Sequence, residues 1–297
     1  MPPGGYAWWY VDGVSDDGRH GLTVIAFLGS VFSPYYAWSG RGDPLNHSAV
    51  NVVLYGRPGA WAMTERPRGR VARDATSLAI GPSSLHWDGT TLTIRVAEVT
   101  SPLPSRLSGT IRVRPAGITP GPFTLDAEGR HRWWPLSPAS RIEVAFDRPS
   151  LRWSGDAYFD TNDGDVPLED SFRSWTWSRS TLKRGAAILY DVERRDGSRQ
   201  DLSLRFDPDG TPQPIEPPVP ARLPPTLWRL NRGTRSDDGA ASVLRRFEDA
   251  PFYSRSLLSA RICGEAVRPV HEALDLDRFT HPLVRLMLPF RMPRALR

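Results

Sequence analysis

Apolar residues recur with a two-residue period through most of the chain. "GLTVIAFLGSVF" (Gly21–Phe32) follows the turn signal "SDDGRHG", and "AVNVVLYG" and "GAWAMTER" come next. "SSLHWDGTTLTIRVAEV" predicts a hairpin with Asp88-Gly89 at its tip, and "GAAILYDVERRDGSRQDLSLRFDPDG" a second with Asp196-Gly197. "RLSGTIRVRP", "RIEVAFD", "SLRWSGDAYFD" and "SFRSWTWSRSTL" also alternate, and no stretch shows a persuasive helical period. Successive hairpins divided by turns predict an all-β protein of antiparallel barrels or sandwiches.

The strands are too numerous for one barrel of about eight. Two tandem barrels are expected. The boundary is placed at 138/139, where Pro135 and Pro138 should break any strand in "HRWWPLSPAS". Pro208 to Pro225 holds eight prolines and is expected to be an extended loop. "HPLVRLMLPFRMPRALR", with four arginines and no acid, could sit on an anionic leaflet; Leu283–Leu288 is expected instead to form a last strand ahead of a polar tail, Met292–Arg297.

Composition supports this picture. There are 25 glycines, 29 prolines and 11 tryptophans, a mix that favours short strands and turns. The net charge of +5 rests almost wholly on arginine, Lys183 being the single lysine. Without a dense basic block interleaved with aromatics, nucleic acid is not an expected partner. Cys263 is alone and cannot form an internal disulfide, so a reducing compartment is expected. "MPPGGYAWWYVDG" lacks a basic n-region, and no apolar run is long enough to span a bilayer.

The chemistry concentrates in two stretches. "SGDAYFDTNDGD" (Ser154–Asp165) carries four acids in twelve residues. EF-hand spacing fails in either register: Asp160 at position 1 puts Asp165 at 6, and Gly164 at 6 puts Phe159 at 1. Asn162, Asp163 and Asp165 read as a solvated turn. Asp160 closes an aromatic strand, and strand parity sets it on one face with Tyr158 and Asp156. At the mouth of an aromatic-lined barrel that carboxyl would be desolvated, kept protonated, and able to donate a proton. In "HRWWPLSP", His131 and Trp133 share a face; they could be packing residues, or could hold a water and stabilise a cation. The aromatic runs containing Trp8, Trp9, Tyr35, Trp38, Trp175 and Trp177 suit an elongated apolar ligand, although most would serve equally in a core.

These stretches, with "GGYAWWYVDGVSDDGRHGLTVIAFLGSVFSPYY", "FRSWTWSR" and "HEALDLDRF…LPFRMPR", resemble the acyclic carotenoid 1,2-hydratase (hydroxyneurosporene synthase) family from Gly4 to Arg294. The resemblance implies two lipocalin-like β domains. It also implies a hydro-lyase of carotenoid biosynthesis that adds water to the terminal 1,2 double bond of lycopene or neurosporene, with no cofactor or metal. It assigns catalysis to His131, Trp133, Tyr158 and Asp160. On that reading Asp160 protonates C2, Trp133 and Tyr158 face the tertiary cation at C1, and His131 orients the water. An insoluble substrate further implies a cytoplasmic protein peripheral to the inner, photosynthetic membrane. Rival readings are a non-catalytic carotenoid carrier and a related pericyclase.

Overall fold

The computed structural model describes residues 1–295. Two antiparallel sheets dominate it. The first begins with β1 (Tyr6–Ser15) and β2 (Gly21–Leu28); a short helix α1 (Pro34–Trp38) then leads to β3 (Ser48–Tyr55) and β4 (Ala60–Arg66). It continues with β5 (Val71–Arg73), β6 (Ser77–Ile80), β7 (Ser83–Trp87), β8 (Leu92–Val99), β9 (Arg106–Pro115) and β10 (Phe123–Thr124). Two long strands, β11 (His131–Arg148) and β12 (Leu151–Gly164), complete it. The strand order is β4-β3-β2-β1-β12-β11-β9-β8-β7-β6-β5, with β10 beside β11. The sheet curls round one apolar interior to which both of its halves contribute, including Val11, Val24, Ile94, Ile111 and Phe146.

Helix α2 (Leu168–Ser171) leads to the second sheet: β13 (Phe172–Thr181), β14 (Ala186–Arg194), β15 (Arg199–Phe206) and β16 (Pro212–Pro214). A separate ribbon pairs β17 (Val219–Arg222) with β18 (Gly233–Ser236). β19 (Ser242–Asp249), β20 (Tyr253–Ile262), β21 (Glu265–Val267) and β22 (Val270–Asp275) follow. The order is β16-β15-β14-β13-β22-β20-β19, with β21 on β20. Helices α3 (Leu276–Thr280) and α4 (Pro282–Arg291) end the described chain. Both expected hairpins form, as β7–β8 and β14–β15.

The structure corrects three expectations. The boundary at 138/139 falls inside β11, and the sheets divide between Gly164 and Phe172. Proline is tolerated within β11 because both flanks are interrupted there. The β12 register shifts between Trp134 and Ser140, and the opposite edge lies between the β10 and β9 pairings. The proline-rich loop 208–225 carries the short strands β16 and β17.

Leu283–Leu288 is helical rather than extended. Pro282 opens α4, and His281 caps it by accepting a hydrogen bond from the Leu283 N–H. Beyond α4 the tail docks on β4. The Glu65 N–H donates to the Pro293 carbonyl and the Ala295 N–H to the Glu65 carbonyl, while the Arg294 side chain pairs with Glu65. Of the expected tail, Leu296 and Arg297 lie outside the described residues.

Candidate active site

Alternation along β1 splits its side chains between two environments. Trp9 and Val11 pack toward the first sheet's own interior. Tyr6, Trp8 and Tyr10 face the second sheet and share a core with Trp133, Tyr158, Phe172, Trp177 and Tyr190. Register places Asp160 opposite Tyr10, Asn162 opposite both Trp8 and Trp133, and Gly164 opposite both Tyr6 and His131. The candidate residues therefore lie between the two sheets, not in a barrel mouth as the strand pattern suggested.

Asp160 is buried at 5% exposure. The Tyr158 hydroxyl donates to its Oδ2 at 2.7 Å, and the Trp133 indole N–H donates to the same oxygen at 3.0 Å and to the Tyr158 hydroxyl at 3.1 Å. Oδ1 is buried without a partner. Burial pushes the carboxyl up to about 8, and the two hydrogen bonds oppose that rise without cancelling it. Burial, with Asp160 alongside, holds the Tyr158 phenol well above its usual range. Asp160 is therefore neutral at pH 7. With two donors on Oδ2, its proton belongs on Oδ1.

His131 is fully buried. Its Nδ1 lies 2.8 Å from the Tyr6 hydroxyl and its Nε2 2.8 Å from the Ser171 hydroxyl, so both ring nitrogens are engaged. Burial lowers its pKa to about 4, which leaves the ring neutral. Gly164 makes the meeting possible, since a Cβ there would stand 2.4 Å from the Tyr6 ring and 2.7 Å from the His131 Nδ1.

A cavity of ≈ 630 Å³ adjoins this cluster. Trp8, Tyr10, Phe32, Trp61, Trp175 and Phe252 form much of its wall, and Glu248, Asp249, Glu272 and Arg291 are its charged groups. It stops at Trp8 and Tyr10, one cross-strand position from Asn162 and Asp160. Two other clefts of comparable size lie elsewhere, one beside Arg114 and Asp156, the other beside Pro102 and Pro149.

Of the expected ligand-lining residues, Trp8 and Trp175 line the cavity, and Trp177 packs at a tilt against Tyr158, with ring centroids 5.0 Å apart. Trp9 points into the first sheet's interior. Tyr35 and Trp38 sit on α1 against one another, with Trp38 53% exposed, and neither lines the cavity. Asp156 lies on the predicted face but is a half-exposed partner of Arg141, at 2.8 Å. Asp163 and Asp165 are part-exposed and pair with Arg132, but only Asp165 lies beyond the strand, since Asp163 is paired within β12. The turn reading fails for Asn162, which is buried at 4% on the Asp160 face.

Sequence reading also missed a buried ionic network between the sheets. Asp12 of β1 accepts from Arg179 of β13 at 2.6 Å and from Arg255 of β20 at 2.7 Å; Arg255 also pairs with Glu272 of β22. The Tyr10 hydroxyl donates to Glu272 at 2.8 Å. An acid inside the apolar run "WWYVDGV" was the available signal.

Among the described residues, no cluster of His, Cys, Asp and Glu is suited to a metal, and no helix is long and apolar enough to cross a membrane. Fold and site together define a lipocalin-like protein with a buried carboxyl beside an aromatic cavity. The family model for the carotenoid hydratase CrtC matches residues 24–297, and the chain belongs to that family, a hydratase of carotenoid biosynthesis. It is 55% identical to the acyclic carotenoid 1,2-hydratase of Thiocapsa roseopersicina, over 99% of this chain and 74% of that one. It is 50% identical to the Rubrivivax gelatinosus enzyme of that name, over the same shares. The fold is similar to a crystal structure described as AttH from Nitrosomonas europaea (TM-score 0.61, 12% identity, 91% and 92% covered). It is also similar to kievitone hydratase from Nectria haematococca (TM-score 0.51, 8% identity, 93% and 90% covered).

Proposed function

We propose that the protein adds water across the terminal 1,2 double bond of an acyclic carotene such as lycopene or neurosporene, with Asp160 as the acid. The observation that carries this is the buried Asp160 carboxyl, whose Oδ2 is held by Tyr158 and Trp133 while Oδ1 has no partner. An isolated alkene is a weak base, so its protonation needs a strong, desolvated, well-placed acid. Oδ1 delivers the proton to C2, and the π pair forms the new C–H bond. The tertiary cation at C1 faces aromatic rings, which stabilise it by about 2 kcal/mol when desolvated. Trp133 contributes through its N–H as well as its ring, since that N–H fixes both the acid and the phenol. His131 acts as a neutral strut, joining Tyr6 to Ser171 of α2. The rest of the polyene occupies the cavity, and the reacting end reaches Asp160 by moving the rings of Trp8 and Tyr10.

Incubation of the purified protein with lycopene in detergent is expected to yield 1-hydroxylycopene. Tight binding with no product would favour the carrier reading instead.

The route in follows from α4. Leu288, Arg291 and Met292 line the cavity, while Leu283, Leu286, Met287 and Phe290 are 53–71% exposed on the same helix. We assign that exposed face to a lipid surface, which makes the protein a peripheral membrane protein able to draw a lipid-dissolved substrate past α4. Leu286→Ser combined with Phe290→Ser is expected to lower co-sedimentation with anionic liposomes about tenfold, while the melting temperature stays unchanged. Full binding by this double variant would remove α4 from the route. Truncation after Arg291 is a poorer test, because it removes Met292 from the cavity wall and Arg294 from Glu65.

A further inference from the structure

Buried amides and carboxyls seldom go without a hydrogen-bond partner, and the exceptions ask for a cause. Two such atoms lie on one face of β12: Asp160 Oδ1 and Asn162 Oδ1. A third, the Trp177 indole nitrogen, belongs to a ring packed at a tilt against Tyr158. Asn162 is 4% exposed and lies opposite Trp133 on one side and the cavity-lining Trp8 on the other. It thus occupies the seam between the acid cluster and the cavity. His131, the residue first expected to hold water, has both nitrogens occupied.

We propose that Asn162 holds the water that captures the carbocation, between its amide and Asp160 Oδ1. This rests on the hydration reading above. Residues two apart on a strand stand about 6.7 Å apart, a span that one water bonded to both side chains can bridge. A buried water needs two or more polar partners: the Asn162 Oδ1 accepts from it, and so does the lone pair left on the protonated Asp160 Oδ1, which keeps the acid's proton free for C2.

The step balances without a second base. Asp160 Oδ1 gives its proton to C2 and becomes a carboxylate. A lone pair of the held water forms the C1–O bond. One proton of that water passes to Asp160 Oδ1. The product is the neutral tertiary alcohol, and Asp160 is again protonated for the next turnover. The same carboxyl serves as acid and then as base, which places water and proton on one face of the alkene.

The test runs in D2O with lycopene in detergent. Asn162→Leu keeps the side chain's approximate shape and removes its hydrogen bonding. It is expected to lower hydration about 100-fold, the scale of loss when a reacting group is misplaced. The acid still works in this variant, so recovered lycopene is expected to carry deuterium at C2, which Asp160→Asn does not produce. Asn162→Ser retains a polar group and should recover at least a tenth of wild-type hydration while also labelling C2. Hydration by Asn162→Leu within threefold of wild type would overturn the proposal. So would joint loss of hydration and deuterium in both variants, because Asn162 would then serve the acid rather than the water. A wild-type protein that neither hydrates nor labels lycopene would instead overturn the hydration reading on which the proposal stands.

Discussion

Asp160→Asn is expected to abolish hydration and, at the same time, to make the protein more stable at neutral pH. The loss of activity should be between about 100-fold and 10,000-fold, the range a positioned general acid supplies. The gain in stability follows from linkage. The folded-state carboxyl sits at about 8, above its ordinary value, so the folded chain holds more protons than the unfolded chain between those two values. Stability contributed by that proton is fully present below the ordinary carboxyl range. It is lost as pH rises, at about 1.4 kcal/mol per unit, until Asp160 ionises near pH 8. Asparagine cannot ionise in either state and still accepts from Tyr158 and Trp133. Thermal unfolding of both proteins from pH 4 to 8 checks this: the melting temperature of the variant should exceed that of wild type by a margin that widens with pH. Equal melting temperatures at every pH would show that Asp160 is not desolvated.

Asp12→Ala is expected to destabilise the protein by about 3–5 kcal/mol, since it leaves buried charge without its partner. Asp12 is fully buried, and it ties the first sheet to Arg179 and Arg255 of the second, which are themselves buried. Removing it leaves two guanidinium groups in an apolar seam with less compensation. Replacing the whole set by Asp12→Leu, Arg179→Met, Arg255→Met and Glu272→Gln should recover much of that loss, because uncharged side chains carry little desolvation cost. Denaturant unfolding measures both. A loss below about 1 kcal/mol for Asp12→Ala would mean that the network is hydrated rather than buried. The same network borders the cavity at Tyr10 and Glu272, so a loosened seam should also weaken carotenoid binding.

What could be read before the structure, and what could not, divides along the range of the interactions. Hairpins tipped by Asp88-Gly89 and Asp196-Gly197 are local, and their turn chemistry is written in adjacent residues. Parity within "AYFD" likewise set Tyr158 and Asp160 on one face. The pairing of β1 with β12 joins residues about 150 positions apart, and nothing local encodes it. That pairing is what brings Tyr10 to Asp160 and puts the acid between the sheets. Pro135 and Pro138 suggested a boundary because the bulges and the edge gap that accommodate them are properties of the assembled sheet. Asn162 looked like a turn residue because "TNDG" has turn composition, yet β12 continues through it to Gly164. Helix α4 was missed although Leu283, Leu286, Met287 and Phe290 have helical spacing. Val284 and Leu288 fill its other faces and blur the stripe, and Pro289 lies inside it.

The most direct measurement is an infrared titration of wild type against Asp160→Asn. A protonated-carboxyl C=O band, present in wild type at pH 6 and missing from the variant, should disappear with a midpoint near pH 8. If Asp160 shows only carboxylate bands at pH 6, the acid is already ionised, and the account of how this site protonates an alkene is wrong.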